Sequence, residues 1–313
     1  MQFSDPHASL SDSPYDSPYG GNAGMPYMGR QPRSFRRGGG GRGGRWYLGC
    51  LGVILLILAL LGFGFNWLFH WGPTMIQVGP NPTLVIESIS NPHSEIFVHV
   101  GGKDGQIMIQ PVRQFNLPFG LAESYQKTTD SLNVIYNLGT NVSGLFDITV
   151  PAHTNLKIDS NDAGVMVDGI TGQMDLATNG GTLIVRNSTV VGPSLLRSNS
   201  GEIQASQDHL SGHVTLDNNS ADSAFQGSLD PAGSYRFTNN SGSIALTLPQ
   251  SIALQINAST ISGSIKSSIS GVKAQPAASG FTLQANLGSA PRAQLTLGSN
   301  SGNIIINEQG GLS

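Results

Sequence analysis

Cysteine is all but missing from this chain: Cys50 is the only one among 313 residues, which excludes an intrachain disulfide framework. Stability must therefore come from a packed core. Basic clusters are missing from most of the length as well. The formal net charge is −3, and six arginines against Asp5, Asp12 and Asp16 make the first 45 residues net positive by three, so the remainder carries −6. An acidic remainder without a polybasic stripe gives no support for nucleic-acid binding. Residues 1–45 also have few aliphatics and are rich in Gly, Pro, Ser and Tyr, with a tandem at Ser13-Pro14-Tyr15-Asp16-Ser17-Pro18-Tyr19. Such a composition cannot bury enough apolar surface to offset chain entropy, so 1–45 is expected to be a disordered tail.

The next segment is apolar. Leu48 to Phe65 holds no charge, Trp46 and Tyr47 stand before it, and Trp67 and Trp71 stand after it. A run of this length, with aromatics at both ends, predicts one transmembrane helix over 46–71. Arg30, Arg33, Arg36, Arg37, Arg42 and Arg45 precede it, and no Lys or Arg comes after it until Lys103. The positive-inside rule then places the N-terminus in the cytoplasm and the C-terminal part outside the cell membrane, as a single-pass protein.

Beyond Gly164 the chain repeats. Thr178-Asn179-Gly180-Gly181, Ser198-Asn199-Ser200-Gly201, Asn218-Asn219-Ser220-Ala221 and Asn239-Asn240-Ser241-Gly242 are copies of one turn. Thr260-Ile261-Ser262-Gly263 is weaker, and Ser299-Asn300-Ser301-Gly302 closes the series. Successive closing residues are 20, 20, 21, 21 and 39 apart, the last near two periods. A fixed period of this size predicts a solenoid whose repeats bury their apolar faces against neighbours.

Five residues before each closing position stand Leu176, Leu196, Leu216, Phe237, Ala258 and Leu297. Two residues after it stand Leu183, Ile203, Ser223, Ile244, Ile265 and Ile304. Apolar residues alternate outward from both columns, the period of a strand with one buried face. A second glycine column at Gly172, Gly192, Gly212 and Gly233 comes after Ile170, Val190 and Leu210, which are expected to point inward. Each coil then reads strand, Asn/Ser/Gly turn, strand, Gly turn, with no room for a helix. The fold class expected is all-β: a β-solenoid, parallel β-helix-like, over 156–309, behind an irregular β-rich cap over 72–155. Asn179, Asn199, Asn219, Asn240 and Asn300, with Asp162 in the first coil, share a turn position. Stacking would place their amides about 4.8 Å apart in a hydrogen-bonded ladder, which Ile261 is expected to end or kink. The glycines two places on are expected to permit tight corners.

In the cap, Thr83–Ile86, Ile96–Val100, Gln106–Ile109, Leu132–Tyr136 and Phe146–Val150 read as strands. The run Phe146-Asp147-Ile148-Thr149-Val150-Pro151-Ala152-His153-Thr154-Asn155-Leu156-Lys157-Ile158 resembles the entry segment of the bacterial "putative adhesin" domain family. The pattern from Gly164 to Gly172, the Ser-Gly-x-Ile turns and Ser301-Gly302-Asn303-Ile304 are similar to that family's repeats, over about 80–307. The resemblance implies an exported β-solenoid, often tethered to the membrane and sometimes linked to envelope-stress systems, with no established catalytic residues.

A carbohydrate-active enzyme on a β-helix is the rival reading. Its candidate acids are Asp159, Asp162, Asp168, Asp175, Glu202, Asp208, Asp217 and Asp222, and no two of them are expected in register on adjacent coils beside a basic residue. Glycosidase chemistry needs paired carboxyls about 5–10 Å apart. Asp208 and His209 with His213 have no clear third ligand, so a solvated loop is expected there in place of a metal site. The sequence thus predicts no catalytic residue, cofactor or metal, and a surface adhesion or envelope-sensing module with a cell-wall glycan or surface protein as partner.

Overall fold

The computed structural model describes residues 56–57, 73–87, 94–101, 105–113, 121–127, 131–138 and 144–310. The expected tail lies outside the described residues, as does the expected membrane helix apart from Leu56 and Ile57. Among the described residues no helix is long and apolar enough to cross a membrane. All the strands lie in the unit Phe69–Ser313.

In chain order the strands begin with β1 (Thr74–Gln77), β2 (Thr83–Glu87), β3 (Glu95–Val100) and β4 (Gln106–Arg113). Next come β5 (Leu121–Lys127), β6 (Ser131–Leu138) and β7 (Gly144–Val150). The repeats open with β8 (Asn155–Ser160), β9 (Gly164–Asp168), β10 (Thr171–Gly172), β11 (Met174–Thr178) and β12 (Leu183–Arg186). They continue as β13 (Thr189–Val191), β14 (Ser194–Ser198), β15 (Ile203–Ser211), β16 (His213–Asn218) and β17 (Ser223–Leu229). Then come β18 (Ser234–Asn239), β19 (Ile244–Leu248), β20 (Leu254–Thr260) and β21 (Ile265–Ser267). The last are β22 (Gln275–Pro276), β23 (Phe281–Leu287), β24 (Ala293–Ser299) and β25 (Ile304–Glu308).

They form two mixed sheets, of 13 and 12 strands. Through the repeats the chain alternates between them. β8, β11, β14, β16 and β18 are successive neighbours in the smaller sheet, and β9, β12, β15, β17 and β19 in the larger. The pairings between repeats are parallel, so Leu176, Leu196, Leu216 and Phe237 stand side by side. Val165, Leu183, Ile203, Ser223 and Ile244 do the same in the other sheet. These apolar columns are fully or nearly buried and, with their counterparts across the two sheets, form one core. Ser223 is the exception that the chemistry explains: its hydroxyl donates to Asn239 Oδ1 at 2.9 Å, beside the tilted Phe225–Phe237 ring pair.

Chain order and spatial order part company at both ends. β24 lies between β18 and β20, and β25 between β19 and β21, so residues 293–308 fill a place ahead of residues 254–267. At the opposite end β2 lies between β6 and β8, and β3 between β7 and β9. Antiparallel strands flank these inserted segments. β1 pairs with β4 and β4 with β7; β5 pairs with β6; β23 pairs with β20 and β22. The larger sheet is not reversed at its other end, where β21 is an edge strand parallel to β25.

The turn glycines are needed for a different physical reason from the one expected. A Cβ on Gly201 would lie 1.8 Å from the carbonyl oxygen of Gly181, and one on Gly302 1.9 Å from that of Gly242. These positions demand glycine because neighbouring turns touch, backbone to backbone. Gly181 in turn faces Ala163, so Ala163 is the first closing residue and the count from Gly164 is off by one. A left-handed backbone is instead found at Gly169, Asn187 and Gln207, which succeed one another at the opposite corner.

Candidate functional site

The turn column builds a continuous ladder. Each asparagine Nδ2 donates to the Oδ1 of the asparagine before it: Asn179 to Asn161 at 3.2 Å, Asn199 to Asn179 at 2.8 Å and Asn219 to Asn199 at 2.9 Å. Asn240 then donates to Asn219 at 3.1 Å and Asn300 to Asn240 at 2.7 Å. One expectation fails at this column. The first rung is Asn161, not Asp162, because the turn closes on Ala163; Asp162 Oδ2 accepts from Asn161 Nδ2. Ile261 ends the ladder as expected, but from a different place in the order: the insertion of β24 makes Asn240 and Asn300 direct neighbours, and Ile261 follows Asn300.

A second, buried ladder runs one residue before the first, and the sequence analysis missed it. Thr178, Ser198 and Ser299 accept the closing N–H of Gly181, Gly201 and Gly302 at 2.9, 2.9 and 2.8 Å. Asn218 Nδ2 donates to the carbonyls of Gly201 and Asp222, and Asn239 Nδ2 to those of Ala221 and Ser243. The signal was present: a Ser, Thr or Asn stands three residues before every closing position.

Beside the exposed ladder, the outward face of the 12-stranded sheet presents two columns of side chains. Glu87, Asp159, Arg197 and Asp217 share one; Lys157, Asp175 and Arg236 share the next. With the asparagines, all of these except Asp175 line an open groove of about 1160 Å³ that crosses the strands from β2 to β20. Eight strands at a spacing of about 4.8 Å make it roughly 34 Å long. Among the described residues no aromatic side chain lines it.

Asp159 gains a carboxylate neighbour from outside the candidate acids. Glu87, absent from the candidate acids, stands in register with Asp159 on the adjacent strand, with Lys157 two residues away on the same face. The signal was weak, since 67 residues separate β2's end from β8's start. Asp217 accepts from Thr238 Oγ1 at 2.8 Å, and Asp222 accepts from the Ser243 N–H at 2.8 Å. Asp168 leaves for the other sheet, where Arg186 reaches it at 3.0 Å and Asn187 at 2.9 Å. Nearby, His99 Nε2 meets Asp147 at 2.8 Å, His99 stacks on Phe97, and Arg186 lies 6.0 Å above the Phe97 ring. Asp168, Arg186, His99 and Asp147 are thus already engaged with one another. Among the described residues no ion pair engages Lys157, Arg197 or Arg236 in the groove.

The solvated loop expected around Asp208 is instead the strand β15, where the pairing shifts register between Ser206 and Asp208. Asp208 is buried, accepts the Ser188 N–H at 2.8 Å through Oδ1, and leaves Oδ2 without a partner. Burial pushes its carboxyl up to about 7, with the nearby Asp168 adding to the rise. His209 Nδ1 contacts Ser228 Oγ at 2.8 Å, and His213 opens β16 in the other sheet. Among the described residues no three His, Cys, Asp or Glu side chains are grouped to hold a metal. Tyr235 is buried under the Gly233 turn and donates to the Leu210 carbonyl at 2.8 Å; burial and Asp230 push its hydroxyl up to about 12.

No protein-family model matches the chain, and no curated protein does. Solved structures with some likeness include a "putative cell adhesion protein" from Clostridium sporogenes ATCC 15579, at 11% identity and a TM-score of 0.36, covering 76% of this chain and 99% of that one. A "putative adhesin" from Bacteroides fragilis NCTC 9343 is 11% identical with a TM-score of 0.36, over 75% and 96%. A third, from Parabacteroides merdae ATCC 43184, is 10% identical with a TM-score of 0.31, over 76% and 96%. Likenesses of this depth carry no functional argument.

Proposed function

We propose that residues 156–309 and the strands ahead of them form a β-solenoid, held at the cell membrane by the apolar segment 46–71, that acts as a non-catalytic surface module for contact with an extracellular polymer. The observation that carries this reading is the groove. It is open along eight strands and walled by a polar ladder, a shape that suits a long chain better than a small molecule. The positive tail before the apolar segment, net +3 with no further cation until Lys103, supports an exterior position for the groove. Intact cells carrying the full chain should lose the strands to added protease and bind members of a polysaccharide panel without changing them. Removal of the tail in place of the strands, or no polymer bound, would overturn it.

One observation favours a second reading. Glu87 and Asp159 are neighbours in register beside Lys157 on strands about 4.8 Å apart, and a retaining glycosidase needs two carboxyls about 5–5.5 Å apart. Release of reducing ends or unsaturated sugars from the same panel, lost in Asp159→Asn, would establish it and displace the non-catalytic reading.

A further inference from the structure

We infer that the groove takes a linear acidic polysaccharide carrying one carboxylate per disaccharide repeat. This rests on the reading of the groove as a polymer-contact surface and names the polymer's chemistry.

Strand register sets the positions of the cations. Lys157 stands on β8, Arg197 on β14 and Arg236 on β18, which are every second strand of the sheet. Their spacing along the groove is therefore about 10 Å, twice the distance between strands. They alternate between the two side-chain columns, as successive substituents do on an extended chain with a twofold repeat. An extended disaccharide has that length. Of the groove's carboxylates, Asp217 stands on β16 between two cations, Asp159 shares β8 with Lys157 in the other column, and Glu87 stands on β2 beyond them; Asp175 on β11, between Lys157 and Arg197, lies outside the lining. A polymer with a negative group at every position would meet these acids and be repelled. One with a charge only in every second sugar meets a guanidinium or ammonium there and places hydroxyls or amides against the acids.

The three cations are free to bind. None is in an ion pair among the described residues, although Arg197 and Asp217 stand on adjacent strands in register. A guanidinium without a protein partner keeps its donor fork for an incoming carboxylate. The ladder supplies the rest. Each rung uses one Nδ2–H for its neighbour, and its second hydrogen remains to meet a sugar oxygen.

Other linear polymers fit less well. An extended peptide repeats each two residues at about 6.6 Å and would slip from register with the cations within one repeat. Single-stranded nucleic acid uses aromatic platforms for its bases, and among the described residues none lines the groove.

Titration calorimetry on the full 313-residue chain tests this with four probes: a hyaluronan octasaccharide, its carboxyl-reduced form, a chitin oligosaccharide of equal length, and a polyglutamate peptide. Hyaluronan is expected to bind, to weaken as salt rises, and to lose about tenfold in affinity in each of Arg197→Ala and Arg236→Ala. Arg186→Ala, on the other sheet, should leave the affinity unchanged, and circular dichroism should show all three variants folded. Equal affinity for the carboxyl-reduced or chitin probe, or unchanged binding in both groove variants, overturns the inference. Binding of a neutral glycan or the peptide that is lost in Asn199→Ala overturns the acidic-glycan inference and leaves polymer contact standing. Binding of none of the probes by a folded chain overturns the inference, and failure across the wider polysaccharide panel removes the polymer-contact reading with it.

Discussion

Asp208 is the residue most out of place in its surroundings. Its carboxyl is buried at a shift of strand register, one oxygen capping the Ser188 N–H and the other unpartnered, and its pKa stands at about 7 against an ordinary 3.8. The folded chain therefore holds a proton that the unfolded chain has already released between those two values. Stability linked to this group is complete below about pH 4, declines as pH rises, and is lost once pH passes about 7. Asp208→Asn keeps the acceptor for Ser188 and removes the ionisation. The variant should match the parent near pH 4 and exceed it by up to roughly 4 kcal/mol above pH 7, measured by chemical denaturation across pH. A parent and variant whose difference does not change with pH would show that Asp208 stays ionised in the fold.

At the scale of the element, the Asn-Asn turn divides its work between two neighbours. Asn218 is buried and serves the carbonyls of Gly201 and Asp222; Asn219 is exposed and makes two ladder bonds. Losing Asn218 strands buried acceptors, so Asn218→Ala should cost roughly 2–4 kcal/mol, while Asn219→Ala should cost about 1–2 kcal/mol. Equilibrium unfolding of the two variants separates them, and the reverse order would refute the division. The exposed half of this turn was legible in the sequence because side-chain chemistry recurs there at a fixed period. The apolar columns were legible for the same reason: Leu176, Leu196, Leu216 and Phe237 keep the period and all are buried. The role of the glycines was not, because contact between Gly201 and the Gly181 carbonyl is a property of two stacked turns and leaves the same letter as a strained corner. Nor was the pairing of Glu87 with Asp159, since β2 lies outside the repeat and no period announces its register.

The whole molecule departs from its sequence most at the ends, where the last segment of the chain is an interior member of both sheets. A truncation after residue 292 would ordinarily remove an end piece. Here it takes away β24 and β25, leaving β20 and β21 without their parallel neighbours. Limited proteolysis of that truncated chain should trim it back to about Leu248 while β8 to β19 resist. Protection of residues 254–287 in the truncated chain would show that they hold their place unaided.

The insertion also sets an order of events during synthesis. A ribosome delivers residues 254–287 before residues 293–308, yet the later segment occupies the nearer position against β18 and β19. The repeats up to β19 can assemble as they emerge, each on the one before. That place cannot be filled until residues 293–308 leave the exit tunnel, so the earlier segment must wait beyond an unoccupied gap or give up a position it has taken. This end of the two sheets is therefore completed only once residues 293–308 have emerged, and a chain stopped before residue 293 lacks an interior member of each sheet.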